Sequence, residues 1–422
     1  MNKVPPLFYL LPLSSGLALI LAFPPFEQGW LAWVALMPLL WFCLQAGPRQ
    51  AFCGGFLFAL PLQLYLNYYL STVLFAYLAP PLATTALLLL IILLCLFYGL
   101  FALTVSGFRK LRSPLLLAAV IPALWVLTEY LRSLGFIGYP VGYLGYTQWR
   151  CPPALNLLSA FGYWGLAFTI VFFQALFLLA LRRSLGGKRL LAGAAIFLAL
   201  FCGGAFLPEL AAIEKEAVPL QTALIQGCSD PEEILESGRE AILKRYLRLS
   251  RAALAEEPGV ELVLWPETVV VLRMREGVLL QRREMVRLAE ELAVDLLYGA
   301  QIYTEESVYN AIVLCSPEGD RPQIYRKQRL VPFVEYFPLE AWLNKWLDLD
   351  FNLGRYGAGD EHTLFSHRRG PFGGAICFES YFGDYTRHFA RAGGRHLFIA
   401  TNDVWFGKSI GLEQHAQVAA LR

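Results

Sequence analysis

The chain has 422 residues, 57% of them hydrophobic, and a formal net charge of +2. Residues 1–209 hold 14 charged side chains, whereas residues 210–422 hold the other 54. This composition is too apolar and too uneven for a single soluble domain, and it lacks the basic surplus that is typical of nucleic-acid-binding proteins. The sequence therefore predicts a membrane domain over 1–209 and a polar domain over 210–422, with no nucleic acid as a partner.

The first half contains seven apolar stretches, each near the roughly 20 residues that a helix needs to cross a bilayer. Of the Lys and Arg side chains between them, nine lie in loops on the side of the N-terminus and two lie in the other loops. Because basic loops stay in the cytoplasm, we expect the N-terminus there and residue 210 on the opposite side. The predicted spans cover 7–23, 29–46, 51–70, 82–106, 115–133, 157–181 and 189–208.

The segment between the fifth and sixth predicted spans, residues 134–156, is rich in Gly, Tyr and Trp. Such rings are typical of the headgroup region of a bilayer, so the segment is interpreted as an aromatic belt. The alternative is a surface through which lipid enters an active site. Glu129, at the outer end of the fifth span, is expected to extend its carboxylate to the membrane surface, with a role in the active site as the alternative.

The second half alternates short β-branched runs with charged amphipathic segments, which predicts a layered α/β domain. The run QHAQVAALR at the end predicts the start of a helix. Because the sequence stops within that helix, we expect the chain to be a fragment that lacks the last part of this domain. Strands are predicted at 219–227, 261–267, 295–303, 370–380 and 396–406, a pair of strands over 307–338, and helices at 231–256, 278–293 and 386–394.

Three reactive side chains each follow a predicted apolar strand: Glu267 in ELVLWPET, Lys327 in QIYRKQRL and Cys377 in GGAICFES. A cysteine thiol has a pKa of about 8.5 and needs a base to become a nucleophile, and Glu267 is the candidate base. Lys327 is expected to lower the thiol pKa and to stabilise an oxyanion. Singly, each side chain has a structural explanation, but the three together favour a catalytic site.

Other nucleophilic and metal-dependent sites are less well supported by the sequence. The five histidines do not follow apolar strands in this way, which argues against a Cys-His protease. The cysteines and histidines also lack the spacing of metal ligands, so no metal is expected. The predicted nucleophile is therefore a cysteine that works with a carboxylate and a lysine.

The sequence resembles the nitrilase, or carbon-nitrogen hydrolase, superfamily, and within it the membrane-bound apolipoprotein N-acyltransferase family. The resemblance depends on the segments LWPET, YNAIVL, YRKQRLVPFVEYFP, GAICFES and TNDVWFG, in this order along the chain. It implies a polytopic α-helical membrane domain followed by an αββα sandwich, with an eighth span after the last residue. It also implies a multi-pass protein of the bacterial inner membrane whose catalytic domain faces the periplasm and needs no cofactor.

The resemblance assigns roles to individual residues. It implies that Glu267 is the general base, Lys327 the stabiliser of the oxyanion and Cys377 the nucleophile, and it adds Glu335 and Glu379 as supporting carboxylates. Phe378 occupies a position where the family often has tyrosine. Contacts with substrate or lipid are implied for Asn310, Tyr336, Phe378, Asn402, Trp405, Phe406 and Gly407.

The reaction that the resemblance implies is the transfer of a fatty acyl chain through a cysteine thioester. A phospholipid donates the chain, and the α-amine of the diacylglyceryl-cysteine of an apolipoprotein receives it. The expected enzyme is a monomer whose partners are these two substrates and the membrane lipids. The alternatives are a membrane-anchored amidase with the same triad and a non-catalytic scaffold that binds lipids or lipoproteins. Apolar segments at 330–360 and 402–410 favour access by lipid.

Overall fold

The computed structural model divides the chain into two compact units, Met1–Lys215 with Lys408–Leu421, and Glu216–Gly407 with Arg422. Each unit is described by itself below. The residues that the structure describes are 4–135, 138–182, 186–210, 219–228, 231–275, 278–280, 283–318, 321–336 and 356–422.

The first unit is built from apolar helices. Three of its described helices, Pro80–Phe108, Pro114–Arg132 and Pro152–Leu181, are long and apolar enough to cross a membrane, and shorter apolar helices occupy Pro6–Ile20, Gly29–Cys43 and Leu190–Ala199. The number of seven spans stays a prediction. The helices are α1 (Leu10–Ile20), α2 (Met37–Cys43), α3 (Pro48–Asn67), α4 (Leu70–Tyr77), α5 (Pro80–Phe108), α6 (Pro114–Arg132), α7 (Pro152–Leu181) and α8 (Gly187–Leu210).

The segment predicted as a span over 29–46 is not one continuous α-helix, because the structure divides it into a 3₁₀ helix, Gly29–Trp33, and α2. Pro38 lies in the first turn of α2, where its missing N–H leaves no intrahelical bond unmade. The predicted span over 51–70 also differs, since α3 ends at Asn67 and α4 begins at Leu70. Pro38 therefore marks the start of α2, which hydropathy alone had merged with the segment from residue 29.

Glycine allows the first unit to pack helix against helix at backbone distance. A Cβ atom at Gly55 of α3 would lie 2.6 Å from the Ala102 Cβ of α5 and would also overlap the carbonyl group of Tyr98. A Cβ atom at Gly16 of α1 would overlap the carbonyl oxygen of Phe58 of α3 in the same way. Small residues at such contacts are typical of membrane helix pairs, where close packing replaces the hydrophobic effect.

The expectation that Glu129 extends to the membrane surface is wrong, because its side chain is fully buried in the first unit. Its carboxylate accepts hydrogen bonds from the backbone N–H of Leu144 at 2.8 Å and from the Tyr163 hydroxyl at 2.7 Å. One turn later, Arg132 donates to the Tyr98 hydroxyl and to the Val141 carbonyl, both at 2.7 Å. The two charged side chains therefore fix the segment after α6 to the helices.

The aromatic belt interpretation fails for the rings nearest to Glu129. Tyr143 and Tyr146 are buried, and Tyr143 stacks on Tyr163 of α7 with 5.1 Å between ring centroids. The Tyr143 hydroxyl donates to the carbonyl oxygen of Glu129 at 2.5 Å. The Tyr143 ring points into the unit because its hydroxyl finds a partner there, which a composition argument does not reveal.

The second unit contains two sheets. The strands are β1 (Thr222–Leu224), β2 (Leu262–Leu264), β3 (Val270–Arg275), β4 (Val278–Leu280), β5 (Asp295–Tyr303), β6 (Val308–Cys315), β7 (Gln323–Arg326), β8 (Leu364–Phe365), β9 (Phe372–Ile376) and β10 (His396–Ala400). In the first sheet β1, β2 and β5 run parallel, β3 lies parallel to β5 and antiparallel to β4, and β6 and β7 continue antiparallel from β5. In the second sheet β9 pairs parallel with β10 and antiparallel with β8.

The two sheets face each other between layers of helix. Helices α9 (Pro231–Glu256) and α10 (Arg283–Leu292) share one apolar core with the first sheet. A Cβ atom at Gly374 of β9 would lie 3.0 Å from the Ile312 side chain of β6, which brings the sheets together. Phe389 of α11 (Gly383–Arg391) lies against Gly373 of β9 on the other side. The predicted αββα sandwich is confirmed.

The helix predicted at 278–293 is wrong in its first part, because residues 278–280 form β4 and the helix begins at Arg283. Strand β3, which the sequence analysis missed, alternates buried Val270, Leu272 and Met274 with more exposed neighbours. That alternation is typical of a strand with one buried face and was available in the sequence. The helix expected at the end of the sequence is α12 (Gly411–Ala420), which groups with the first unit.

Candidate active site

The three predicted catalytic residues meet in the second unit. Glu267 follows β2, Lys327 follows β7 and Cys377 follows β9 directly. The Lys327 Nζ lies 3.8 Å from Glu267 Oε1, and the Cys377 sulfur interacts electrostatically with both groups. The three residues come from both sheets, since β2 and β7 belong to the first sheet and β9 to the second, and the site forms where the ends of these strands meet.

The turn that carries Glu267 packs directly on β5. Gly299 donates its backbone N–H to the Pro266 carbonyl at 3.1 Å, and a Cβ atom at Gly299 would lie 2.5 Å from Glu267 Cα and 2.7 Å from the Thr268 nitrogen. Only glycine fits at this contact. Thr268 itself has φ +58°, which is uncommon outside glycine and gives the turn its direction.

Both carboxylate oxygens of Glu267 are held by N–H donors. Oε1 accepts from Asn310 Nδ2 at 2.6 Å, and Oε2 accepts from the backbone N–H of Asn402 at 3.0 Å. Asn310 is 2% exposed and lies on β6, while Asn402 follows β10. The predicted residue Asn402 therefore enters the site through its main chain. The orientation of Glu267 depends on both sheets.

Lys327 is 1% exposed and forms a buried ion pair with Glu335. Its Nζ donates to Glu335 Oε1 at 2.8 Å, and Glu335 Oε2 accepts from the backbone N–H of Val331 at 2.7 Å. Burial alone lowers the pKa of Lys327, but the carboxylates of Glu335 and Glu267 raise it above the ordinary lysine value. The side chain therefore stays an ammonium ion in the site.

Asn310 connects the two carboxylates on either side of Lys327. In addition to its bond with Glu267, Asn310 Nδ2 lies 3.3 Å from Glu335 Oε1. Each of the four carboxylate oxygens of Glu267 and Glu335 thus accepts a hydrogen bond from at least one N–H donor. An arrangement of this kind aligns the carboxylates before a substrate binds.

Burial raises the pKa of Glu267, and the neighbouring Glu335 carboxylate raises it further, against the opposing effects of Lys327 and Asn310. A carboxylate with a raised pKa is a stronger base than an ordinary glutamate. Proton transfer from a thiol to Glu267 is therefore easier than to an exposed carboxylate.

Cys377 begins a 3₁₀ turn, Cys377–Tyr381, with φ +49°. Such a conformation costs a non-glycine residue about 1–3 kcal/mol and is typical of functional sites. Burial, followed by the Glu267 carboxylate, raises the pKa of the thiol well above its ordinary value, although Lys327 opposes this. Lys327 lowers the thiol pKa by its charge, as expected, but burial and the Glu267 carboxylate outweigh that effect. The Cys377 thiol therefore holds its proton more tightly than an ordinary cysteine.

Glu379, two residues after Cys377, is fully buried. Its Oε1 accepts from the backbone N–H groups of Gln328 at 2.7 Å and Arg329 at 3.0 Å, and its Oε2 accepts from the N–H of Ile376 at 2.8 Å. One carboxylate thus ties the loop after Lys327 to the residue before Cys377. The raised pKa of Glu379, about 7, results from burial, which these N–H donors partly offset.

The remaining predicted residues lie around this cluster. Phe378 is buried, with its ring centroid 5.2 Å from that of Phe382, and Tyr336 follows the turn that contains Glu335. Trp405 and Phe406 belong to the 3₁₀ helix Asp403–Phe406 and are partly exposed. Contacts of these residues and of Gly407 with lipid stay predictions. Part of the apolar segment predicted for lipid access, residues 337–355, lies outside the described residues.

Sequence reasoning missed two parts of the site. Gly299 has no reactive group, and its role follows only from the approach of the Glu267 turn to β5. Tyr325, two residues before Lys327, donates its hydroxyl hydrogen bond to Glu379 Oε1 at 2.7 Å. Its position on the same side of β7 as Lys327 was a usable signal, since side chains two apart on a strand share a face.

Known proteins resemble this chain over both of its halves. Residues 15–176 match the apolipoprotein N-acyltransferase N-terminal domain, and residues 221–422 match the carbon-nitrogen hydrolase domain. The apolipoprotein N-acyltransferase of Geobacter metallireducens is 30% identical over all of this chain and 82% of its own length. Those of Azotobacter vinelandii and Pseudomonas putida are each 32% identical over 98% of this chain, and over 80% and 82% of their own lengths.

Proposed function

Because the chain belongs to the apolipoprotein N-acyltransferase family, and is therefore an acyltransferase of lipoprotein biosynthesis, we propose that its Cys377 carries the acyl group as a thioester. The observation that supports this most directly is the buried Lys327, whose Nζ lies 2.8 Å from Glu335 and 3.8 Å from Glu267 beside the thiol. The cluster combines a base, a nucleophile and a fixed positive charge.

In the first step Glu267 removes the proton of the Cys377 thiol as the sulfur attacks an ester carbonyl carbon of a phospholipid. Lys327 stabilises the negative charge that develops on the carbonyl oxygen. The carbon-oxygen bond then breaks, and the lysophospholipid leaves with the proton that Glu267 had taken. The product is an acyl thioester on Cys377.

In the second step the α-amine of a diacylglyceryl-cysteine attacks the thioester carbon. The carbon-nitrogen bond forms, the carbon-sulfur bond breaks, and Glu267 passes a proton from the amine to the departing sulfur. Covalent catalysis of this kind divides one difficult transfer into two easier steps. The chemistry needs only the side chains of the site, so we propose an enzyme without a cofactor.

The location and partners of the enzyme follow from the same proposal. The chain is a membrane protein with three described helices that are long enough to span a bilayer. We propose that it resides in the bacterial inner membrane with the αββα unit on the periplasmic side, and that it acts as a monomer. Its donor is a membrane phospholipid and its acceptor a diacylated apolipoprotein.

An intact-mass measurement tests the proposal. Wild type incubated with phospholipid and no acceptor should gain one acyl group, while Cys377→Ala should gain none. Cys228→Ala is a matched control, because Cys228 is an exposed cysteine of the same unit. A diacylated lipopeptide should remove the acyl group and become triacylated.

The other two functions predict different masses. Loss of the adduct to water as fast as to the lipopeptide would identify an amidase-like hydrolase. A wild-type protein that stays unacylated, although Cys377 reacts with an alkylating reagent, would identify a scaffold and end the proposal.

A further inference from the structure

A pair of tyrosine hydroxyls supports the Glu379 carboxylate. The Tyr325 hydroxyl lies 2.7 Å from Glu379 Oε1 and 2.8 Å from Oε2, and it also contacts the hydroxyl of Tyr385. Tyr325 lies on β7 and is fully buried, whereas Tyr385 lies on α11, on the other side of the second sheet from the first sheet. The contacts thus extend from an outer helix to the catalytic centre.

The direction of these hydrogen bonds follows from the chemistry of the groups. The Tyr325 hydroxyl has one hydrogen, which it donates to Glu379, so its oxygen is left to accept from Tyr385. Glu379 also accepts from the backbone N–H groups of Gln328 and Ile376, which flank Lys327 and Cys377. The carboxylate is therefore held by tyrosine on one side and holds the two catalytic segments on the other.

We propose that Tyr325 and Tyr385 are positioning residues of the acyl transfer reaction, because their hydroxyls orient Glu379 and through it the Lys327 loop and the Cys377 turn. Tyr325 acts directly on Glu379, and Tyr385 acts only through Tyr325. The inference rests on the proposed thioester mechanism and adds to it two residues that do not touch the substrate.

The rings of both tyrosines are anchored independently of their hydroxyls. Tyr325 packs edge-on against Phe389 at 6.2 Å between centroids, and Tyr385 packs against the same ring at 5.6 Å. Replacement by phenylalanine therefore keeps the packing and removes only the hydrogen bonds. This makes Tyr325→Phe and Tyr385→Phe clean probes of the hydroxyl pair.

The experiment measures the rate of thioester formation on Cys377 against phospholipid concentration, by intact mass, for wild type, Tyr325→Phe, Tyr385→Phe and the double variant. We expect Tyr325→Phe to lower the rate at saturating phospholipid about tenfold or more, as for a lost hydrogen bond to a charged group, with an unchanged half-saturating concentration. Tyr385→Phe should have a smaller effect. The double variant should match Tyr325→Phe alone, because the outer hydroxyl has no other route to Glu379.

Tyr246→Phe is the matched control, since Tyr246 is another buried tyrosine of the second unit that packs on Trp265. It should leave the saturating rate within about twofold of wild type, as expected for a hydroxyl outside the network. A Tyr325→Phe variant with the wild-type rate would overturn the inference, as would additive effects in the double variant. If Tyr325→Phe does not fold, an unchanged rate in Tyr385→Phe would contradict the inference about the two tyrosines. If the wild-type protein itself forms no thioester, the proposed function is wrong, and this result differs from a failure of the inference alone.

Discussion

Asn310 shows at the scale of a single residue how a neutral side chain can control a charged site. Its one amide nitrogen reaches Glu267 at 2.6 Å and Glu335 at 3.3 Å, so it keeps both carboxylates in register with Lys327. The sequence identified Asn310 only as a contact with substrate or lipid. Its bridging position could not be derived, because it depends on how far the turn after Lys327 folds back toward β6.

Replacement of Asn310 by alanine should change the pH dependence of thioester formation. The Asn310 hydrogen bond lowers the pKa of Glu267, so its loss raises that pKa further. Because Glu267 must be ionised to accept the thiol proton, the acid limb of the rate profile should move to higher pH, by about one unit for about 1.4 kcal/mol of lost interaction. Intact-mass rates across pH measure the shift.

Gln301→Ala provides the control for Asn310→Ala. Gln301 lies opposite Asn310 in the β5–β6 register, and its amide donates to the Tyr356 hydroxyl at 2.5 Å rather than to a catalytic carboxylate. Its profile should keep the wild-type acid limb. If the acid limb of the rate profile of Asn310→Ala stays at the wild-type pH, Asn310 does not lower the pKa of Glu267.

The ends of three strands, drawn from both sheets of the second unit, position Glu267, Lys327 and Cys377. The sequence predicted these residues because each follows an apolar run. It did not predict the close approach of β5 to the Glu267 turn at Gly299, since glycine in a strand is equally typical of a bulge or of weak pairing. Likewise, β4 was missed because residues 278–280 were assigned to the start of a helix, and no element was predicted over β3.

Gly299→Ala should slow thioester formation more than tenfold and destabilise the second unit. The added methyl group would meet the backbone of Glu267 and Thr268, which cannot move without displacing the base. Overpacking of this kind costs about 1–3 kcal/mol. Thermal unfolding and intact-mass rates of the full chain measure the two effects.

Gly259→Ala is the matched control for Gly299→Ala. The nearest atom to a Cβ at Gly259 belongs to the flexible side chain of Gln221, which can move aside. That variant should retain both stability and rate. Equal losses of rate and stability in Gly299→Ala and Gly259→Ala would contradict the steric argument.

The distribution of charge over the whole molecule predicts an apolar half over 1–209 and a polar half over 210–422, whereas the compact units divide the chain after Lys215 and again before Lys408. Hydropathy did not predict where Pro38 restarts a helix or that residues 408–421 group with the first unit. These features depend on backbone hydrogen bonds and tertiary packing, which an average over residue types does not contain. The same limit explains why Glu129 was assigned to the membrane surface.

Replacement of Glu129 by alanine should destabilise the whole chain by about 2–4 kcal/mol, because it leaves the Leu144 N–H and the Tyr163 hydroxyl without their acceptor inside the protein. Glu129→Gln keeps an acceptor oxygen and should lose less. Thermal unfolding in detergent measures both. Glu27→Ala serves as the control, since Glu27 pairs with the exposed Arg150 and such pairs contribute about 0–1 kcal/mol. Equal losses at the two positions would contradict the argument.

The buried Glu129 also separates membrane insertion from folding. Leucine at this position would make α6 a more hydrophobic span and would favour its transfer into lipid. The same leucine would remove the acceptor of the Leu144 N–H and of the Tyr163 hydroxyl, two bonds that now hold this segment and α7 to the end of α6. A sequence selected only for residence in the bilayer would therefore remove the residue that gives this part of the protein its shape.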